Sequence, residues 1–265
     1  MPARLGELGL NEVHCWRFDS SDFAAEELAS VLSEDERDRA RRFAFERDRV
    51  DYVVCRGLLR NLLAAYGLGS ACALTFSYTV RGKPVLTLDC DPPIEFNVAH
   101  SRGTGLIGLG YGVTIGVDVE MVRPVDNFWS LAATCFATEE LAELAALPAG
   151  LQTQAFYAGW TRKEALIKAT GEGLSRPLHS LAVTIGPGVP PHVIRFDGDP
   201  NPTERWRVID LTCDTQFARL CRSFKCPNHS SRRPSPPRPT WVLRGVVMAV
   251  NVVELVQRAS LSTVK

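Results

Sequence analysis

Gly116-Val117-Asp118-Val119-Glu120, followed later by Trp160-Thr-Arg-Lys-Glu164-Ala-Leu-Ile-Lys168, decides how this chain is read. Val113, Ile115, Val117 and Val119 alternate with Thr114, Gly116, Asp118 and Glu120, which is the period of a half-buried strand. On such a strand Asp118 and Glu120 share the face opposite the valine row. They stand roughly 7 Å apart, close enough for one divalent cation to take an oxygen from each. Phe156, Trp160 and Ile167 recur at helical spacing, and Gly171 and Gly173 supply a stop. Glu164 then falls on the apolar side of that helix, with Lys168 stacked one turn above it. Alone, the two read as an exposed Glu–Lys pair contributing ~0.2–0.5 kcal/mol. A carboxylate turned toward a core needs a cation or hydrogen-bond donors, because an isolated buried charge is very costly. The strand's paired acids make a shared metal the simplest answer.

The rest of the chain fits an ordinary soluble enzyme. Its 265 residues suffice for one large domain or two modest ones, and 45% hydrophobic content supplies a core. Thirty basic and thirty acidic side chains leave no net charge, which disfavours a nucleic-acid partner. No N-terminal stretch resembles a secretory signal, and Trp241 to Val253 is too short to span a bilayer and carries Arg244 and Asn251. The eight cysteines are scattered, with Cys15, Cys55, Cys72, Cys90 and Cys135 in helix- or strand-like contexts. They read as reduced thiols of a cytoplasmic protein. Cys221, Cys226 and His229 form a weak zinc pattern without a convincing fourth ligand.

The two opening motifs, in this order and spacing, resemble the signature of the 4′-phosphopantetheinyl transferases. The closer match is the long, two-halved type that activates peptide and polyketide synthases. The resemblance covers roughly Ser33 to Phe217. Phe96-Asn-Val-Ala-His100-Ser101 is similar to the family's Asn-x-Ser-His-Ser segment, with Ala99 in place of the first serine. Gly82-Lys83-Pro84 matches a turn whose lysine meets the cofactor's phosphate end, and Arg39 matches a basic helix that approaches the same phosphates. Arg49 and Arg56 are weaker matches. The resemblance implies an α/β (α+β) fold of two similar halves in pseudo-twofold arrangement, with the active site in the cleft between them. The halves would span 1–110 and 111–222, followed by an atypical tail, 223–265.

Each of these residues also has a plainer reading. A lysine between Gly82 and Pro84 sits on a rigid turn, suited to a point charge, yet turn lysines are ordinarily just solvated. His100 ends a strand whose parity is Ile94, Phe96 and Val98, beside the small-residue loop Ser-Arg-Gly-Thr-Gly, where loop amides and an imidazole together suit an anion. A lone histidine is more commonly structural. Gly103-x-Gly105 is not a dinucleotide fingerprint, since a strand follows. Ser33-Glu-Asp-Glu36 is a capping box that opens a helix to Phe45. Its arginines alternate with acids, the pattern of a solvated face.

Elsewhere the pattern alternates helices and strands. Val13 to Phe18 reads as a strand, and Val54 to Tyr66 as an amphipathic helix stopped by Gly67. Leu74 to Val80, Pro84 to Leu88, Phe96 to Ala99 and Leu106 to Leu109 are strand candidates. Thr138 opens a helix that ends before Pro148. After Trp206 to Leu211 the family closes with a short apolar strand. Here a Ser/Arg/Pro tract, Ser230 to Thr240, intervenes, and the pairing of Trp241 to Val253 is open.

The resemblance implies Mg²⁺-dependent transfer of 4′-phosphopantetheine from coenzyme A to a serine of an acyl or peptidyl carrier protein. The other product is adenosine 3′,5′-bisphosphate. Asp118, Glu120 and Glu164 would hold the metal. Glu164, directly or through a water, would help take the serine proton, and Lys168 would stabilise developing charge. Arg39, Lys83, His100 and Ser101 would anchor coenzyme A. The enzyme would act as a monomer. A metal-dependent phosphohydrolase using the same carboxylates and a non-catalytic coenzyme A or carrier-binding module are the alternatives.

Overall fold

Residues 8–211, 218–219 and 247–251 are described by a computed structural model. They fall into two compact units, one running to Ile115 and including 218–219, the other starting at Gly116 and including 247–251.

The first unit opens with β1 (Val13–Asp19), then α1 (Ala25–Ala29), α2 (Glu34–Arg41) and α3 (Glu46–Ala65). β2 (Phe76–Tyr78), β3 (Pro84–Leu86), β4 (Ile94–Ser101) and β5 (Thr104–Tyr111) follow, each overlapping a segment expected to be a strand. The sheet order is β4-β5-β1-β9, where β9 (Ala218–Arg219) runs parallel to β1 and the other pairs are antiparallel. The core forms where Leu58, Leu59, Leu62 and Leu63 of α3 meet Trp16, Phe18, Phe96, Ile107 and Leu109. Each such leucine stabilises the fold by roughly 1.5–3 kcal/mol relative to exposure. Gly67, at φ +83°, lets the chain leave α3 in a conformation other residues resist.

The helix expected over Ser33 to Phe45 is shorter. It is capped as anticipated, with the Ser33 amide donating to Glu36 Oε2 at 3.1 Å, but it ends at Arg41. The chain turns at 42–45, and Phe43 packs against the core with its ring 5.3 Å from that of Tyr52. α3 then starts well before its apolar stripe, where Arg49 donates to Glu46 one turn back at 2.7 Å.

Below α2 lies a closed ionic network. Glu36, 1% exposed, accepts from Arg56 Nε at 2.7 Å and from Arg60 Nε at 2.6 Å. Arg60 Nη1 donates to the carbonyls of Ala71 (2.8 Å) and Leu74 (2.9 Å). Both guanidinium groups lie over the Phe76 ring. Burial alone would push the Glu36 carboxyl up, but the two arginines outweigh it and hold it below the ordinary range. Arg56, a weaker sequence candidate for a phosphate contact, is therefore committed to the core.

The second unit contains α4 (Phe128–Cys135), α5 (Thr138–Ala146), α6 (Ala149–Thr170), the hairpin β6 (Leu181–Val183) and β7 (Val193–Phe196), α7 (Pro202–Arg205) and β8 (Trp206–Asp210). Phe136, Phe156, Leu166, Ile167, Leu181, Val183, Val193 and Val208 form its core. α6 ends as the glycines indicate, with Gly171 left-handed at φ +71° and its amide on Lys168 O at 3.3 Å. The apolar run after Trp241 finds a partner: β10 (Val247–Asn251) pairs parallel with β8, Val247 opposite Trp206. The remainder of that run, the Ser/Arg/Pro tract and Cys221, Cys226 and His229 lie outside the described residues.

One sequence expectation fails here. Residues 113–120 are not among the described strands, and Asp118 is not on an open face. Val117 and Val119 are buried, and so is Asp118, at 4% exposure. The cause is a close approach: a Cβ on Gly116 would stand 1.9 Å from Ala165 O and 2.6 Å from Ala169 N of α6. Only glycine lets the chain lie directly on the helix backbone at this point.

Candidate active site

Seated on α6 at Gly116, the chain carries Asp118 to the helix face that presents Glu164 and Lys168. Lys168 Nζ donates to Asp118 Oδ1 at 2.5 Å, so its main partner lies across on the acid segment and not one turn back on its own helix. Two oxygens are left over. Asp118 Oδ2 and Glu164 Oε1 are buried and meet no donor. Burial pushes the Glu164 carboxyl above its ordinary range; Lys168 opposes this, and Asp118 and Glu120 push it further up. Asp118 is likewise raised by burial against the pull of Lys168. Asp118, Glu120 and Lys168 therefore all act on the charge of Glu164, and Asp118 and Lys168 are in direct contact. Among the described residues no three His, Cys, Asp or Glu side chains already enclose a metal position.

The other charged members of the Trp160–Lys168 motif do a different job. Arg162 donates to Asp210 Oδ1 at 3.1 Å and pairs with its other oxygen and with Thr184 O. Lys163, fully buried, pairs with Glu140 and donates to Cys135 O (3.0 Å) and Leu178 O (3.1 Å). Glu140 in turn accepts the Ala137 amide at 2.8 Å and the Val183 amide at 2.9 Å. These contacts tie α6 to α5, β6 and β8, so the helix offers Glu164 and Lys168 from a braced position. Sequence reading overlooked both braces, because their partners are remote in the chain.

In the first unit the four candidate anion contacts come from three places: α2, the turn before β3 and the end of β4. Arg39 of α2 is exposed, its guanidinium 5.5 Å from the centre of the Tyr52 ring. Burial raises the Tyr52 hydroxyl to about 12, while Arg56 and Arg39 lower it and Glu36 and Tyr78 raise it. Arg39 of α2 thus lies against Tyr52 of α3. Lys83 follows Gly82, at φ +81°, and its Nζ lies 3.2 Å from Glu95 Oε2, while Glu95 Oε1 accepts from Thr114 Oγ1 at 3.3 Å. His100, exposed, and Ser101 close β4. The expected small-residue loop beyond them is a two-residue turn, Arg102–Gly103, with β5 starting at Thr104. Its Gly103 amide donates to Asp51 at 3.1 Å, so that amide is not available to an anion as the loop reading supposed.

A two-unit α/β protein with clustered acids and a lysine on a braced helix is defined by this geometry, and comparison with known proteins says which one. The 4′-phosphopantetheinyl transferase superfamily matches residues 114–220, and the family's N-terminal region matches residues 14–106. The transferase HetI of Nostoc is 36% identical over 207 residues, 77% of this chain and 84% of its own. The transferase psf-1 of Bacillus pumilus is 29% identical over 216 residues, 74% of this chain and 90% of its own. Sfp of Bacillus subtilis is 31% identical over 160 residues, 60% and 69% of the two chains. The chain belongs to the 4′-phosphopantetheinyl transferase superfamily, with both its N-terminal and C-terminal halves. It is an enzyme that transfers 4′-phosphopantetheine from coenzyme A to carrier proteins. No helix among the described residues is long and apolar enough to cross a membrane.

Proposed function

We propose that Asp118, Glu120 and Glu164 hold the Mg²⁺ of this reaction, and that Lys168 and Glu164 act on the reacting groups. The observation that carries this is the pair of buried oxygens without a donor, Asp118 Oδ2 and Glu164 Oε1. Buried carboxylate oxygens normally have partners, and two left open on acids that feel each other's charge fit an oxygen-seeking divalent cation. Mg²⁺, when bound, supplies charge stabilisation for the pyrophosphate as the P–O bond breaks.

The chain's own groups do the rest. Lys168, already on Asp118 Oδ1, offers further donors on its ammonium to phosphate oxygens that gain charge during transfer. Glu164 receives the proton of the carrier serine, directly or through a water, as that hydroxyl attacks phosphorus. The products are the phosphopantetheinylated carrier and adenosine 3′,5′-bisphosphate. Arg39, Lys83, His100 and Ser101 anchor coenzyme A through its phosphates, Lys83 exchanging Glu95 for the ligand. The thiols of Cys15, Cys72, Cys90 and Cys135, free among the described residues, support a reducing, cytoplasmic setting. The carrier is an acyl or peptidyl carrier protein or domain, and the enzyme works as a monomer.

Incubation with coenzyme A, Mg²⁺ and a panel of apo acyl and peptidyl carriers tests the reading. A carrier mass gain that requires Mg²⁺ and vanishes in Asp118→Ala supports it. Mg²⁺-independent transfer, or nucleotide breakdown without a carrier, overturns it.

A further inference from the structure

We propose that Asp51 is a positioning residue for coenzyme A: its carboxylate fixes the Arg102–Gly103 turn and so aims His100 and Ser101. The inference rests on the reading of those two residues as coenzyme A contacts. Asp51 lies on α3, 4% exposed, and its Oδ2 accepts the Gly103 amide at 3.1 Å from fifty-two residues away in sequence. From the other side, the Gly103 carbonyl accepts the buried Ser20 amide at 2.6 Å, just past the end of β1. Both polar groups of one peptide-bonded residue are therefore held by separate elements.

The turn needs that restraint. Arg102 sits at φ +49°, a left-handed conformation that costs a residue with a Cβ on the order of 1 kcal/mol. Such a conformation persists only where the surroundings over-determine it. One step further down the ladder, Gly105 lies opposite His100, and a Cβ there would stand 2.0 Å from the Phe18 ring. The ring thus presses on the strand directly across from His100. Helix, strand end and aromatic ring converge on the two ladder rungs that carry His100 and Ser101, while the His100 side chain stays exposed. A carboxylate is the strongest acceptor available to hold an amide in this way, since charge assistance roughly doubles a hydrogen bond.

The test is a double-mutant cycle on the full chain, with coenzyme A affinity read by calorimetry and kcat and KM read with an apo carrier. Asp51→Ala raises both the coenzyme A Kd and KM by about fivefold to tenfold, a share of what a charge-assisted hydrogen bond provides. Its kcat and its KM for the carrier stay within about twofold of wild type, because nothing at the reacting atoms moves. Asp51→Asn, which keeps an acceptor, binds coenzyme A within about twofold of wild type. Asp51→Ala adds little to His100→Ala, because the first acts through the second. Full additivity, or a fall in kcat and in carrier affinity alike, overturns the inference alone. Wild-type coenzyme A affinity in His100→Ala overturns the anchoring assignment, and the inference with it. Amide exchange of Gly103 in the wild type needs no variant to fold: protection is expected, and exchange at the rate of an open loop overturns the contact.

Discussion

Two buried acid clusters, one in each unit, differ in a single respect. Glu36 has both oxygens engaged by Arg56, Arg60 and a backbone amide, and Arg60 also holds two backbone carbonyls. Asp118 and Glu164 have one lysine between them and two oxygens that meet nothing. A closed network holds a structure together, and opening it costs stability. An open one is held by the structure around it, and its free lone pairs are for something else. The same contrast runs along α6, where Arg162 and Lys163 are fully partnered and Glu164 is not.

The largest effect expected from this comparison is on activity. Asp118→Ala lowers transfer by at least about a thousandfold, the several kcal/mol that a metal's charge stabilisation supplies, while the melting temperature holds. Steady-state mass spectrometry and thermal unfolding measure the two. Glu36→Ala does the reverse. It strands Arg56 and Arg60 without a counter-ion and destabilises the fold by about 3–5 kcal/mol, read by denaturant unfolding. A stable Glu36→Ala protein would dissolve the distinction between the clusters.

Gly116→Ala sharpens the comparison from the backbone side. Its Cβ has no room against Ala165 O, so the acid segment must lift off α6. The expected cost is about 1–3 kcal/mol, with a larger fractional loss of transfer than of stability because Asp118 rides on the displaced chain.

His14 gives the smallest effect, as a satisfied group with no catalytic part. Buried in β1, it contacts Tyr66 OH and lies 3.1 Å from Glu12 Oε1. Burial holds its imidazole below the ordinary 6.5, and the Glu12 contact opposes this only in part. The unfolded chain therefore binds the proton more readily. His14 contributes full stability above about 6.5 and loses it as the pH falls toward the folded value. A His14→Gln protein should show a flatter melting-temperature profile across this acid limb, and an unchanged slope would rule the group out.

Local signals in the sequence were good guides to local structure. The Ser33 cap, the Gly67 and Gly171 stops, the opening strand and the hairpin strands all stand where residue chemistry puts them. The placing of Glu164 and Lys168 on one helix was equally legible, because residues four apart on a helix share a face. What escaped was set by contacts remote in the chain. Lys168 stands four residues after Glu164, yet it reaches back fifty residues to Asp118. Arg56, a weaker match for a phosphate contact, is engaged by Glu36, twenty residues earlier. The period-2 valines promised an exposed acid face, and Gly116 instead pressed the segment onto α6. Alternation reports which side chains share a side, and cannot report what covers each side.

The most direct test is Glu164→Gln, followed by parallel measurement of transfer to an apo carrier, Mn²⁺ binding by paramagnetic resonance, and thermal unfolding. Removing a charge whose buried Oε1 meets no donor should leave the melting temperature equal or higher, because a carboxyl raised by burial is relieved of its neighbours Asp118 and Glu120. Transfer and Mn²⁺ affinity should both collapse. A variant that transfers and binds Mn²⁺ like wild type, or one that unfolds as Glu36→Ala should, would contradict the account.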